Sequence, residues 1–265
     1  MPIATVLHSI LSEDLDASKI SGEALHGLFF AILAQKDKRL AWQLHKAAGT
    51  KPFTLAFLNR GKKSKFKPGE ELRMRVTLLD DSLFMKLADA FMNPQMELEL
   101  QNARIIPTMI NLSATDRGLW TGQQKWEEIY DSAGEGIEIV LQFVTPTTFR
   151  QRDMDVPLPI PKLVFGSYLK RWKEFSPIPL HPDLQTVVEE RIAVFEPHIK
   201  PAPFFTGKVW VHGFIGRSRF KIMDDVSPEL VKQINILADF AFYSGTGYKT
   251  TYGMGMTRKL KIFYI

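Results

Sequence analysis

Cysteine is absent from the 265 residues. Composition therefore excludes disulfides, thiolate nucleophiles and cysteine-held metal sites. It also fits a reducing compartment, so a cytoplasmic protein is expected. No apolar run approaches the roughly 20 residues that span a bilayer as a helix, and no membrane association is expected. The opening stretch, MPIATVLHSILSEDLDASKI, carries acidic residues and no leading basic segment, so a secretory signal is not expected. Dense carboxylate–histidine clusters are missing too. The acids at 14–16, 80–81 and 224–225 read as caps and turns, so neither a metal site nor a cofactor is expected. What remains is an ordinary globular composition, 45% hydrophobic and 24% charged, long enough for one large core or two small ones.

Charge is present in modest excess, +5 overall, so its placement matters more than its total. NRGKKSKFKPGEELRMR, residues 59–75, gathers Lys62, Lys63 and Lys65 among seven cations. TRKLK near the C-terminal end holds Arg258, Lys259 and Lys261, with Lys249 just upstream. Two basic clusters, one beside a glycine-rich loop, point to a polyanionic partner.

The pattern of apolar residues divides the chain into two halves of similar layout. In the first, alternation or β-rich composition predicts strands over 3–11, 52–58, 71–79 and 96–106. Leu25, Leu28, Phe29, Ile32 and Leu33 recur at helical spacing, which predicts a helix from about Gly22, followed by a second piece over 38–47. A further helix is predicted over 81–92, capped by Asp81 or Ser82. The second half predicts a strand over 136–144, a helix over 161–175 opened by a proline, a strand pair 207–216 and 218–223, a helix over 227–245, and a last strand over 255–265. Residues 112–135 read as a connector and 145–161 as a proline-rich excursion. Each half is β-α-β-β-α-β. The expected fold is thus α+β, two tandem ferredoxin-like (RRM-like) domains, 1–125 and 126–265, the second carrying the glycine-rich loop.

That loop lies in SGTGYKTTYGMGMTRKL, residues 244–260. Gly245 and Gly247 precede, and Gly253 and Gly255 follow, a five-residue insert that carries Lys249. A nucleotide-binding P-loop needs Gly-Lys followed by Ser or Thr after four spacers, and a dinucleotide fingerprint must open a helix; this loop follows a helix and precedes a strand, so both are excluded. A helix cap and tight turn account for Gly245 and one further glycine. The remaining glycines suggest backbone amides brought close to a phosphate, with Lys249 adding a point charge.

The spacing GTG-YKTTY-GMG resembles the glycine-rich signature of the repeat-associated RNA-binding (RAMP) superfamily of CRISPR systems, with Thr246 where that family prefers an apolar residue. LHKAAGTKPFTLAFL, FGSYLKRW and GFIGRSRF extend the likeness over nearly the whole chain, towards the subgroup that processes CRISPR precursor RNA. The resemblance implies an endoribonuclease that cuts within each repeat by 2′-hydroxyl attack without a metal. It places a catalytic histidine on His45 and a supporting lysine on Lys51. His26 is the second candidate, because some branches carry their histidine early in the first helix. A tyrosine found in some relatives falls on Phe30, which exchanges no proton. RNA contacts are expected from Gly245, Gly247, Lys249, Gly253 and Gly255, from Lys62, Lys63 and Lys65, and from Arg150 and Arg152. The expected partner is CRISPR repeat RNA, with other effector subunits as further partners and a monomer or homodimer as the assembly. The alternative is a non-catalytic RNA-binding subunit on the same scaffold.

Overall fold

Alternation and helical spacing map onto the structure strand by strand. The computed structural model describes residues 1–59, 63–93, 97–113 and 120–262. These group into two units: Met1–Gln124 with Phe205–Val209 and Thr251–Gly253, and Lys125–Phe204 with Trp210–Thr250 and Met254–Ile265.

In the first unit the elements are β1 (Ile3–Leu11), β2 (Leu15–Asp16), α1 (Gly22–Lys36), α2 (Lys38–Lys46), β3 (Phe53–Phe57), β4 (Lys65–Phe66), β5 (Glu71–Leu78), α3 (Ser82–Phe91), β6 (Leu98–Leu100), β7 (Ala103–Asn111) and β8 (Gly122–Gln123). The main sheet runs β3-β5-β1-β7-β6, with β8 paired to β1, and its ladders are antiparallel. The order second, third, first, fourth is that of a ferredoxin-like unit. Its core sets Leu25, Phe29, Ile32 and Leu33 of α1 with Leu7, Leu55, Val76 and Leu78 of the sheet. Burying such side chains contributes about 1.5–3 kcal/mol each, which fixes α1 against the strands.

Three expectations change here. The strand over 96–106 is a hairpin, β6–β7, turned at Gln101 and Asn102 with φ of 52° and 70°. Part of the basic segment, which lies between the strands expected over 52–58 and 71–79, is itself a strand, β4, which pairs with β2. Asp81 makes no side-chain cap on α3; the Ser82 N–H donates instead to Asp80 Oδ1 at 3.0 Å.

The second unit contains α4 (Trp126–Asp131), β9 (Glu138–Thr147), β10 (Phe149–Gln151), β11 (Met154–Val156), α5 (Pro161–Phe175), α6 (Leu184–Glu190), β12 (Ile192–Phe205), β13 (Trp210–Ile222), α7 (Pro228–Ser244) and β14 (Thr257–Leu260). Its sheet is ordered β12-β13-β9-β14, again ferredoxin-like. Trp172 of α5 meets Trp126 and Phe240 edge-on, each at 5.3 Å between centroids. Ser227 caps α7 through Leu230 N, Pro228 follows at the first helical position, and Gly245 ends the helix at φ 62°.

The strand pair expected over 207–216 and 218–223 is one continuous strand, β13, and its outer partner β12 has no counterpart in the sequence pattern. Gly216 is a bulge at φ 134°, not a turn. The excursion over 145–161 holds the β10–β11 hairpin, and the connector over 112–135 holds β8 and α4.

Candidate active site

Asp37 serves two helices. Its backbone N–H donates to Leu33 O at the end of α1, and its carboxylate accepts from Leu40 N at the start of α2. The Lys86 ammonium, 2.8 Å away, holds this carboxyl below its usual range, helped by the Leu40 amide. With one residue between them, the two helices pack together. His26 and Phe30, four residues apart on α1, share a face. His45 in the last turn of α2 meets both: its ring centroid lies 5.8 Å from His26 and 5.2 Å from Phe30. His45 is exposed, and no hydrogen bond from the described residues engages its ring nitrogens. The sequence separates the two histidines by 19 positions on different helices, and the fold brings them together.

Two residues of the glycine-loop insert complete this neighbourhood within the first unit. Thr251 O lies 3.1 Å from His26 Nδ1, and the Tyr252 ring stacks on His26 at 4.4 Å and 11°. A carbonyl only accepts, so Nδ1 carries the proton and neutral His26 has its lone pair on Nε2. Sequence reasoning missed both residues; the only signal was their place between the glycine pairs.

Lys51 acts on α2 from beyond its end. Its ammonium donates to the carbonyls of Leu44 at 2.6 Å, His45 at 3.2 Å and Ala47. Three donors thus meet three acceptors left over at a helix C-terminus. Partial burial pushes this amine below its usual range. Lys51 thus ties down the backbone at the end of α2, where His45 stands.

The glycine loop is tied mostly to its own protein. Gly245 N donates to Ala241 O, Thr246 N to Gly255 O, Gly247 N to Ser167 Oγ, Tyr248 N to Thr148 O, and Gly255 N to Pro146 O. Those amides are therefore committed within the chain, and the glycines answer a different need. Gly247, Gly253 and Gly255 sit at φ 75°, 98° and 74°, where other residues are strained. A Cβ on Gly247 would press on Thr148 O, and one on Gly255 on Thr246 O. Lys249, within the insert, is also in the left-handed region at φ 54°. Thr246, the departure from an apolar residue, is buried, with its hydroxyl 2.6 Å from Tyr168 OH and 2.7 Å from Thr257 Oγ1. Arg171 of α5 is buried. It donates to Ser244 O, to Gly245 O at 3.0 Å and to Thr250 Oγ1 at 2.8 Å. Burial lowers its pKa to about 10.

The other expected RNA contacts lie apart from the histidines in sequence and are partly neutralised. Arg150 pairs with Asp155 at 2.9 Å, and Arg152 forms the exposed turn of the β10–β11 hairpin at φ 52°. Lys63 pairs with Glu70 at 3.2 Å and Lys65 with Asp14 at 2.6 Å. Lys62 lies outside the described residues. Among the described residues no group of three His, Asp or Glu is placed to hold a metal ion, and no helix is long and apolar enough to cross a membrane.

Comparison with known proteins decides the family. Residues 1–131 match the CRISPR Cas6 N-terminal domain, and residues 141–257 match the family described as CRISPR-associated endoribonuclease Cas6. A solved Cas6 product complex is 32% identical over 98% of this chain and 100% of that one, with a TM-score of 0.84. The chain belongs to the Cas6 family. Thermus thermophilus Cas6 is similar at 31% identity, with 98% of each chain covered and a TM-score of 0.76. The curated Cas6 of Mycobacterium tuberculosis (strain CDC 1551 / Oshkosh) is 29% identical over 51% of this chain and 42% of that protein. The Streptococcus thermophilus Cas6 is 25% identical over 51% of this chain and 55% of that protein. The chain thus aligns with about half the length of these curated relatives. His26, His45 and Lys51 fall inside the N-terminal Cas6 match, and the glycine loop falls inside the second.

Proposed function

We propose that this protein is an endoribonuclease that cuts CRISPR precursor RNA within its repeats, without a metal ion. The observation that carries the proposal is the pairing of two imidazoles, His26 and His45, 5.8 Å apart. One histidine cannot remove a proton and deliver another in the same step; two can.

The 2′-oxygen of the nucleotide before the cut attacks the adjacent phosphorus in line with the leaving 5′-oxygen. His26 takes the 2′-hydroxyl proton on Nε2, the nitrogen that its Thr251 contact leaves as acceptor. His45, as imidazolium, gives a proton to the 5′-oxygen as the P–O5′ bond breaks. The products are a 2′,3′-cyclic phosphate and a 5′-hydroxyl, and the two histidines exchange their protonation states, to be reset through solvent. Lys51 is a positioning residue, holding the end of α2 on which His45 stands. General acid–base help of this kind contributes roughly 10²–10⁴-fold, and positioning for in-line attack contributes at least as much. The solved product complex of a Cas6 relative supports the reading.

The test is cleavage of labelled repeat RNA in EDTA, beside an RNA with a single 2′-deoxy substitution before the cut. Cutting of the first alone, with cyclic-phosphate ends, is the expected result. Binding without cutting would replace this reading with a non-catalytic RNA-binding subunit.

A further inference from the structure

Helix α2 has an outer face of which the proposed chemistry uses His45 alone. Its inward stripe is Leu40, Ala41 and Leu44, packed on the core of the first unit. Its outward face carries Lys38, Arg39, Trp42, His45 and Lys46, all exposed. Trp42 is 63% exposed, and its indole makes no hydrogen bond and no ring contact among the described residues. A lone exposed tryptophan is ordinary; its neighbours are what give it meaning. It lies three residues before His45 and four from both Lys38 and Lys46, so these side chains share one face of the helix. The sequence of α2, KRLAWQLHK, contains no acid. Nearby acids are already engaged, Asp37 by Lys86 and Asp89 by Lys36. Lys38, Arg39 and Lys46 consequently make no ion pair among the described residues.

An exposed π-face among uncompensated cations is the composition that binds single-stranded nucleic acid, bases on the ring and phosphates on the cations. We propose that Trp42 is a stacking platform for one unpaired nucleobase of the RNA next to the scissile phosphate, with Arg39 and Lys46 holding the neighbouring phosphates. The proposal rests on the endoribonuclease reading and adds to it a residue that selects an unpaired nucleotide at the cut. Stacking depends on the ring and not on apolar area, so phenylalanine substitutes for tryptophan where leucine does not.

The experiment compares Trp42→Ala, Trp42→Phe and Trp42→Leu on repeat RNA and on RNAs carrying one abasic site at each position near the cut. Because the side chain is exposed, thermal stability should be unchanged in all three. Trp42→Ala and Trp42→Leu should raise KM on the order of 10-fold with little change in kcat, and Trp42→Phe should recover most of the loss. That loss should vanish on one abasic RNA, which identifies the stacked base. Unchanged KM for Trp42→Ala, or an equal loss on every abasic RNA, overturns the proposal. A change in self-association without a change in KM overturns it in favour of a protein contact. If the unaltered protein fails to cut repeat RNA at all, the endoribonuclease reading falls first; if it cuts and Trp42→Ala cuts equally well, only the platform falls.

Discussion

The carbonyl oxygen of Thr251 lies 3.1 Å from Nδ1 of His26 and thereby selects the ring nitrogen that can accept a proton. His26 as base must be neutral, and His45 as acid must be protonated, so the rate should be bell-shaped in pH. The acidic limb of such a profile reports the base and the alkaline limb the acid. His45→Ala should abolish most cleavage, by roughly 10²–10⁴-fold, and its residual rate should lack the alkaline limb. His26→Ala should lose the acidic limb instead. Single-turnover pH–rate profiles of both variants check the assignment; interchanged limbs would reverse the two roles.

Lys51 donates to three carbonyls at the end of α2, so its effect on catalysis passes through the position of His45. Lys51→Met should lower stability by about 1 kcal/mol, because water replaces the lost donors at this partly exposed site. It should reduce kcat while leaving the two limbs of the pH profile in place. Loss of a limb would instead show that the ammonium itself transfers a proton.

Phe30 meets His45 edge-on at 5.2 Å and His26 at 4.8 Å. It orders the two rings without exchanging a proton. With acid and base already supplied, Phe30→Tyr should change kcat by less than about 10-fold, well below the effect of removing an acid–base group. A larger gain in single-turnover rate would mean that a hydroxyl was missing from the site.

Elements with clean periodicity were readable from the chain alone: β1 spans Ile3–Leu11 and α5 spans Pro161–Phe175, both as expected. The failures have specific causes. β12 contains Pro197, Pro201 and Pro203, which argue against a strand by composition, yet it lies at the edge of its sheet, where missing N–H donors are tolerated. Gly216 reads as a turn but makes a bulge inside β13. The β6–β7 turn uses Gln101 and Asn102 without glycine, so the usual hairpin signal is absent. At the site, histidines on two helices were identifiable as candidates. Their juxtaposition and the contact of Thr251 with His26 depend on tertiary packing that no local pattern encodes.

Arg171 illustrates the same limit and carries its own prediction. It is buried against Ser244 O, Gly245 O and Thr250 Oγ1, so its guanidinium organises the loop. Arg171→Met takes the guanidinium from Ser244 O and Thr250 Oγ1, at about 1–3 kcal/mol for each buried acceptor left unsatisfied, while Gly245 O keeps its bond from Ser244 Oγ. A marked loss of thermal stability is expected. The slope of log affinity for RNA against log salt should not change, because a buried cation releases no counterion from the RNA. A shallower slope would mean that Arg171 reaches a phosphate.

Gly255 distinguishes two explanations of the glycine loop. If glycine is there to admit a phosphate, Gly255→Ala should weaken RNA binding and leave stability alone. The structure supports the other explanation. Gly255 is at φ 74°, its N–H donates to Pro146 O at 2.9 Å, and its carbonyl accepts from Thr246 N at 2.8 Å. An added Cβ would press on the Thr246 carbonyl oxygen, a backbone atom that cannot swing aside. Strain of about 1–3 kcal/mol from the left-handed backbone is expected before the clash is counted. At roughly 2–4 °C per kcal/mol for a chain of this size, Tm should fall by several degrees. Calorimetry beside RNA titration reads both quantities on one variant. An unchanged Tm with weakened binding would restore the phosphate explanation.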